Sequence, residues 1–170
     1  MIKHMTITID KPKKEDIKDI QDILREWRTE EDVNMYGEAM LDEIKGKVTE
    51  ETIYRNMRFW TAKNDDKAIG IICLCEPLPK LSPFFKSEKP GAIQILYIHN
   101  QWRHQGIGRK LVSTVESEAR NQGYTELIVR SAPVYETTAW VFYDKVGYQR
   151  VGTSPTKDGT EMMQVFYKKL

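Results

Sequence analysis

The chain has 170 residues, a length that suits one domain built around a single core. Its formal net charge is +1, with 40% hydrophobic and 30% charged residues, which is an ordinary mixture for a soluble globular protein. This near-neutral balance gives no general indication of nucleic-acid binding. No apolar run approaches the roughly 20 residues that span a bilayer, so we expect neither a nucleic-acid nor a membrane partner.

The two cysteines and the N-terminus indicate the compartment. Cys73 and Cys75 lie two positions apart in an apolar stretch, a spacing that suits neither a disulfide framework nor a complete zinc site. We interpret both as small buried hydrophobic residues. The first residues, Met-Ile-Lys-His-Met-Thr, lack the apolar segment of a signal peptide. We therefore expect a cytoplasmic protein in a reducing environment, without a metal ion.

The N-terminal third predicts one strand and two helices. Alternating β-branched residues over 6–10 predict the strand, and Pro12 then opens a helix. One apolar stripe of that helix recurs every three or four residues: Ile17, Ile20, Ile23, Leu24 and Trp27. A second helix ending near Gly46 is allowed by Met35, Ala39, Met40 and Ile44, and residues 49–57 could add another turn or two.

A hairpin and a proline-rich loop come next. Residues 58–63 and 68–75 predict two strands joined by a polar turn. The stretch 76–91 contains four prolines, so we expect neither a strand nor a long helix there. Phe84 and Phe85 within it either pack on the core or line a substrate lip or a dimer contact.

The C-terminal half alternates strands and helices. Residues 92–99 are apolar on both faces, which is typical of a strand inside a sheet. The remaining predicted elements are a helix over about 107–122 ended by Gly123, a strand over 126–131, a helix capped by Thr137 or Thr138 that ends before Gly147, and strands over 148–152 and 162–168 joined through Asp158-Gly159.

The segment between strand 92–99 and the next helix predicts an anion site. Gly106 and Gly108 allow unusual dihedral angles and a close approach of a ligand to the backbone. The helix start offers unpaired N–H groups and a partial positive charge, which suit a phosphate. Positive charge is added by Arg103, His104, Arg109 and Lys110. The segment lacks the Walker sequence, and Leu111 stands where a dinucleotide fingerprint needs its third glycine.

Two motifs together resemble the GNAT superfamily of N-acetyltransferases. The first is Arg-x-x-Gly-x-Gly, from Arg103 to Gly108, directly after Leu96-Tyr97-Ile98-His99. The second is Ala139-x-x-Phe142-Tyr143-x-Lys145-x-Gly147-Tyr148. The resemblance runs from about residue 6 to the C-terminus and is most specific over 92–150. It implies a single α+β domain over residues 1–170, in which a mixed, mostly antiparallel sheet of about seven strands is flanked by about four helices and splayed between its two central strands.

The resemblance also implies the chemistry. Acetyl-CoA would transfer its acetyl group to a primary amine of a small molecule, protein or peptide by direct attack. Pantetheine would bind the backbone of Leu96, Tyr97 and Ile98, with the Ile98 N–H facing the thioester oxygen. The diphosphate would bind the amides of Arg103, His104, Gln105, Gly106, Ile107, Gly108 and Arg109.

Tyr143 is the expected proton donor to the leaving thiolate. Because Tyr143 follows the inward Phe142 by one residue, about 100° of helix, we expect it to border the core rather than fill it. The general base is open. Where many relatives carry a strand glutamate this chain has Ala92 and Gln94, and where many carry an asparagine it has Glu136. The candidates for the base are Glu136, Glu76 and His99, and an acceptor of low pKa would need little help.

Three further questions stay open. A non-catalytic acyl-CoA sensor is the alternative to an enzyme, supported by the missing strand glutamate. A homodimer through the last strands or through 76–91 is also open. Six acidic residues between positions 30 and 43 form either a solvated helix face or a surface for a cationic substrate: Glu30, Glu31, Asp32, Glu38, Asp42 and Glu43.

Overall fold

One seven-stranded sheet organises the chain, in the strand order β1-β2-β3-β4-β5-β7-β6. The structure is a computed structural model that describes residues 6–47 and 56–170. The strands are β1 (Ile7–Asp10), β2 (Arg58–Asn64), β3 (Lys67–Cys75), β4 (Pro90–Ile98), β5 (Glu126–Ser131), β6 (Gln149–Pro155) and β7 (Met162–Lys169). Neighbouring strands run antiparallel except β4 and β5, which are parallel.

Helices cover both faces of this sheet. They are α1 (Ile17–Arg25), α2 (Glu30–Ile44), α3 (Ile107–Asn121) and α4 (Val141–Lys145), and a π-helical turn over Glu136–Trp140 leads directly into α4. Short 3₁₀ turns span Lys14–Asp16, Pro79–Phe84, Asn100–Trp102 and Pro133–Tyr135. The order of strands and α-helices is the predicted one, and the mixed, mostly antiparallel α+β sheet is confirmed. The suggested extra turn over 49–57 falls mainly on residues outside the described ranges.

The sheet separates two hydrophobic cores. The helices α1 and α2 pack over one face, where Ile20, Leu24 and Met40 are fully buried against β3. The helix α3 packs over the other face through Leu111 and Val115. A strand that contributes to both cores must be apolar on both sides, which explains the continuous apolar run of β3.

Trp27 corrects the predicted apolar stripe of the first helix. The stripe holds for Ile17 through Leu24, but α1 ends at Arg25. Trp27 therefore lies in the turn before α2, where 36% of it is exposed. The side chain of Thr29 accepts a hydrogen bond from the Asp32 N–H and caps α2. This cap makes residues 26–29 a turn, which removes Trp27 from the helical face.

The proline-rich stretch packs on the core. Leu81 is buried, and Phe84 and Phe85 pack against a small cluster that includes Ile128 and Val165 of β5 and β7. The structure thus favours core packing for both phenylalanines. The strand β4 begins at Pro90, two residues earlier than predicted and inside this stretch. A proline is tolerated there because the first residue of a strand needs no ladder N–H.

The helix before Gly147 does not begin as predicted. Neither Thr137 nor Thr138 caps it, because a 3₁₀ turn ending at Tyr135 runs directly into the π-helical turn. The Thr138 hydroxyl instead donates to the Tyr135 carbonyl at 3.4 Å.

Both cysteines are buried free thiols, as interpreted from the sequence. Burial, with a further contribution from Cys75, raises the pKa of the Cys73 thiol well above its usual value. Within residues 6–47 and 56–170, no helix combines the length and apolar character needed to cross a membrane.

An ion pair between Asp16 and Lys63 ties the start of α1 to β2. Lys63 Nζ lies 2.6 Å from Asp16 Oδ2, and the two side chains are only 9% and 2% exposed. The Lys13 N–H also donates to Asp16 Oδ2, at 2.6 Å. Removing one partner of such a pair leaves a buried charge without its counter-charge.

We predict that Lys63→Met lowers the free energy of unfolding by about 3–5 kcal/mol, because the Asp16 carboxylate loses its counter-charge. The measurement is urea denaturation followed by circular dichroism. Arg25→Met is the matched control, since Arg25 pairs with Asp22 and Glu30 but its side chain is 42% exposed. That control should change stability by less than about 1 kcal/mol. Equal losses in the two variants would contradict the prediction.

Candidate active site

The central strands β4 and β5 are hydrogen-bonded to each other over only part of their length. They pair only from Pro90–Ile93 against Glu126–Val129. Two steps along β3, from Ile72 to Leu74, match three steps along β4, from Leu96 to Ile93, so β4 carries one extra residue as a bulge at 94–95. Beyond the bulge β4 continues to Ile98 beside β3 alone. The splay between the two central strands is therefore present, and we call the space that it opens the β4–β5 gap.

The backbone of β4 presents polar groups to this gap. The His99 N–H donates to the Ile69 carbonyl of β3 at 2.8 Å. Hydrogen-bonded and non-bonded residues alternate along an antiparallel pair, so Tyr97 also bonds to β3, while Leu96 and Ile98 turn their N–H and C=O groups away from it. The side chains of all three residues are only partly buried, although the strand is central. Of the three predicted pantetheine-binding residues, Leu96 and Ile98 therefore turn their backbone groups toward the gap, whereas Tyr97 turns its own toward β3.

A second set of donors lies where the loop after β4 enters α3. His104 and Gly106 have φ values of 60° and 78°, and α3 begins at Ile107. The Lys110 N–H donates to the Gly106 carbonyl at 3.1 Å as the first helical bond. The amides of residues 107–109 consequently have no partner within the helix, and the dipole adds a partial positive charge beside them. We call residues 104–109 the amide loop.

Arg103 behaves differently from the rest of the predicted loop. Its amide N–H donates internally to Asn100 at 3.4 Å. Its guanidinium donates from Nε to the Ile98 carbonyl at 3.1 Å and lies 4.5 Å from the Trp27 ring centre. Nη2 is 3.6 Å from Glu26 Oε2. The Arg103 side chain therefore fastens the loop to β4 and to the end of α1.

The two glycines of the loop have separate tasks. Gly106 adopts a left-handed conformation with open space where a Cβ would stand. A Cβ on Gly108 would lie 3.3 Å from the Phe142 ring, so Gly108 allows the close approach of α3 and α4. Only Gly106 is required by the backbone turn. His104 and Gln105 are exposed in the same loop, and the Gln105 amide donates to the Gln101 carbonyl at 3.3 Å.

Tyr143 is buried, which corrects the expectation that it borders the core. It is 5% exposed, whereas its neighbour Phe142 is only partly buried. The Tyr143 ring packs against Tyr148 at 5.6 Å and Phe166 at 5.2 Å between ring centres. The π-helical turn before α4 holds extra backbone per turn, so the following residues rotate relative to a regular helix.

The environment of Tyr143 keeps its hydroxyl protonated. Burial raises the pKa of Tyr143 well above its usual value near 10, and Tyr97 adds to the rise. A hydroxyl of this kind can donate a proton at neutral pH but cannot serve as the base.

The three candidate bases have different surroundings. His99 Nδ1 accepts the Gln101 N–H at 3.3 Å, and the Glu76 carboxylate accepts from the Asn56 amide. Glu136 is exposed and lies close enough to Arg150 to contribute, after Asp144, to raising the pKa of that guanidinium. Two of the candidates are thus engaged locally, and Glu136 is the solvated one.

Sequence analysis missed a cluster on the other side of β4. Trp27 and Arg28 after α1 meet Tyr97 of β4 and Tyr135 after β5. These residues come from three distant segments, and only tertiary structure brings them together. The one local signal was an aromatic residue just past a helix end.

Comparisons with known proteins agree with this geometry. Residues 21–148 match the Acetyltransferase (GNAT) family profile. Human N-acetyltransferase 8 is 32% identical over 100 residues, covering 59% of this chain and 42% of that protein. Rat N-acetyltransferase 8F1 is 30% identical over 105 residues, covering 62% and 45%. The chain thus spans less than half the length of these curated relatives.

Solved structures show the same fold. A GNAT-family acetyltransferase structure from Desulfovibrio desulfuricans superposes with a TM-score of 0.77 at 14% identity, covering 96% of this chain and 99% of that one. PaiA N-acetyltransferase from Thermoplasma acidophilum, in complex with coenzyme A, superposes with a TM-score of 0.66 at 17% identity, covering 98% and 100%. Since the family profile covers residues 21–148, which is most of the chain, the chain belongs to the Acetyltransferase (GNAT) family.

Proposed function

We propose that the chain is an N-acetyltransferase that moves an acetyl group from acetyl-CoA to a primary amine by direct attack. One observation carries the proposal. The backbone of Leu96 and Ile98 turns into the β4–β5 gap, beside an amide loop at the start of α3. A strand edge and a set of unbonded amides together suit a ligand with an amide-containing arm and a diphosphate.

The donor fits these two features in one extended pose. Its diphosphate binds the amide loop, and its pantetheine arm follows β4 into the gap. Support comes from solved relatives of the same fold, since the Thermoplasma protein is a coenzyme A complex. A Salmonella typhimurium structure, YncA, is described with its cofactor acetyl-CoA, and it superposes with a TM-score of 0.68 at 16% identity.

The reaction uses two hydrogen-bond or proton donors of the protein, the Ile98 N–H at the thioester oxygen and the Tyr143 hydroxyl at the sulfur. The amine lone pair forms the C–N bond, and negative charge develops on the thioester oxygen. The Ile98 N–H faces that oxygen as a fixed donor, which stabilises the transition state more than the ground state. The C–S bond then breaks, and Tyr143 gives its proton to the leaving thiolate. The nitrogen loses its proton to a base, for which Glu136 is the exposed candidate.

The alternative is an acyl-CoA sensor without turnover. The observation that favours it is Gln94, at the bulge where many relatives carry a glutamate. Its side-chain amide donates to the Tyr36 hydroxyl at 3.2 Å and is not basic. If the chain is a sensor, it binds coenzyme A but releases no thiol from acetyl-CoA with any amine.

We predict that Gly106→Ala weakens coenzyme A binding at least tenfold, because the new methyl group disfavours the left-handed conformation that orients the amide loop. Gly123→Ala is the matched control: it has a φ of 86° and also has open space at its Cβ position, but it lies at the far end of α3. Both variants should lose about 1–2 kcal/mol of stability. Calorimetric titration with coenzyme A measures the difference, and equal affinity in the two variants would contradict the site.

Tyr143→Phe should lower kcat by about 10²–10⁴-fold, because the leaving thiolate loses its proton donor. Coenzyme A affinity should stay within about threefold, since the ring and its packing remain. Tyr148→Phe is the control, because it removes a second buried hydroxyl whose ring packs edge-on against Tyr143. The measurement is acetyl-CoA-dependent thiol release with a panel of amines. Unchanged kcat in Tyr143→Phe would exclude the assigned role, and no release by the unmodified protein would favour the sensor.

The pH dependence provides a separate test of Tyr143. Because the pKa of Tyr143 is raised, its hydroxyl stays protonated at pH values near and above 10, the usual pKa of a tyrosine. We therefore predict that kcat shows no decline from this group between about pH 8 and 10, where an ordinary tyrosine begins to ionise. A descending limb in that range that Tyr143→Phe abolishes would show that the pKa is not raised.

A further inference from the structure

The cluster around Tyr97 forms a small polar-aromatic surface. The rings of Trp27 and Tyr97 stack with their centres 6.3 Å apart and their planes at 12°. Tyr135 meets Trp27 edge-on at 5.7 Å. Arg28 donates from Nε to the Tyr97 hydroxyl at 3.0 Å. We call these four residues the aromatic–arginine cluster.

The cluster borders the β4–β5 gap on the face opposite Tyr143. Tyr97 packs with the core under α1 and α2, whereas Tyr143 belongs to the core under α3. The backbone of β4 between these two faces is the part that turns toward the gap. On the proposed function, the donor enters from the start of α3 and its sulfur lies near Tyr143. The attacking amine would then approach from the Tyr97 side of the gap.

Arg28 has donors to spare on this surface. One of its five N–H groups bonds to Tyr97. Nη1 is 3.6 Å from Asp32 Oδ2, which is too far for a strong hydrogen bond. The Arg28 side chain is 30% exposed, so its remaining N–H groups can be reached by a ligand. A guanidinium whose stem is held in place presents a fixed fork that matches a carboxylate.

Two guanidinium groups bring positive charge to the cluster, and each has one carboxylate at 3.6 Å: Asp32 beside Arg28, and Glu26 beside Arg103. Arg103 lies over the Trp27 ring at 4.5 Å and adds a second positive charge beside Arg28. The acidic residues that could have attracted a cation are partly engaged elsewhere. Glu30 pairs with Arg25 at 2.8 Å, and Glu43 accepts from Lys11 and from the Phe59 N–H. Glu30 and Glu43 are thus paired within the protein rather than presented to a substrate, whereas Asp32 lies beside Arg28.

We propose that Arg28 binds a carboxylate of the acceptor, so that the acceptor is a small amine that also carries a carboxylate. Its apolar or aromatic part packs on Trp27 and Tyr135. Arg28 is then a specificity-determining residue for the transfer proposed above, and the inference rests on that function. Polyamines and aminoglycosides, which lack a carboxylate and carry several positive charges, are poor acceptors on this basis.

Matched acceptors test the carboxylate directly. Phenylalanine and leucine are compared with phenethylamine and isoamylamine, which lack only the carboxylate, and with phenylalanine amide, which keeps the shape without the charge. The unmodified protein should show a KM about ten- to one-hundredfold lower for phenylalanine and leucine than for the compounds that lack the carboxylate. This is the difference expected for a charge-assisted bidentate contact. Spermidine and kanamycin complete the panel.

Variants of Arg28 place that preference on one side chain. In Arg28→Gln the KM for phenylalanine and leucine should rise to the value for the decarboxylated amines. The KM for the decarboxylated amines and the Kd of coenzyme A should stay constant. Arg28→Lys keeps the charge without the fork and should restore part of the preference. Arg25→Gln is the matched control, since Arg25 is an exposed arginine of the same region that pairs with Asp22 and Glu30.

The outcomes separate this proposal from the function on which it rests. Absence of coenzyme A binding would refute the function itself. Three results would overturn the role of Arg28 alone, provided that coenzyme A still binds. They are equal KM values for acids and decarboxylated amines, acetylation of spermidine or kanamycin in preference to both acids, and no acetylation of either acid. If Arg28→Gln does not fold, the acceptor comparison on the unmodified protein decides.

Discussion

The separation of β4 from β5 is the constraint on which the site depends. A sheet normally satisfies every backbone N–H and C=O of a central strand from both sides. The bulge at 94–95 ends this for β4, leaving Leu96 and Ile98 bonded to no second strand. Unpaired backbone groups in a protein interior are costly. The structure offsets part of this cost because Arg103 donates to the Ile98 carbonyl, and a ligand that bonds along β4 would offset more.

On the proposed function, this arrangement brings the two reactants to the gap from opposite faces of the sheet. The proposed donor site, which comprises the amide loop and Tyr143, belongs to the α3 side of the sheet. The aromatic–arginine cluster belongs to the side of α1 and α2. Only the β4 backbone, with the Ile98 N–H, is common to both. The acceptor surface can therefore be built from different segments, here the α1–α2 turn and the turn after β5, without disturbing the groups that hold the donor.

Local patterns predicted the elements well and their junctions poorly. The strand 126–131 has the predicted bounds, with Leu127, Ile128 and Val129 as its apolar centre, and the glycines marked the start of α3. Burial of Tyr143 could not be predicted, because a π-helical turn shifts the helical phase without a sequence signal. Trp27 fitted the helical period, but the Thr29 cap of α2 moved it into a turn. In both cases a neighbouring element overrode the local period.

The site also shows why single motif residues were assigned imperfectly. Arg103 begins the Arg-x-x-Gly-x-Gly motif, and its position predicts an anion contact. In the structure its donors reach Ile98 and approach Glu26, and its plane lies near Trp27. One side chain, directly before the amide loop, thus contacts β4, the end of α1 and Trp27 of the aromatic–arginine cluster. Arg103 thus holds these three parts together, while on the proposed function the backbone amides of 104–109 supply the anion-binding donors.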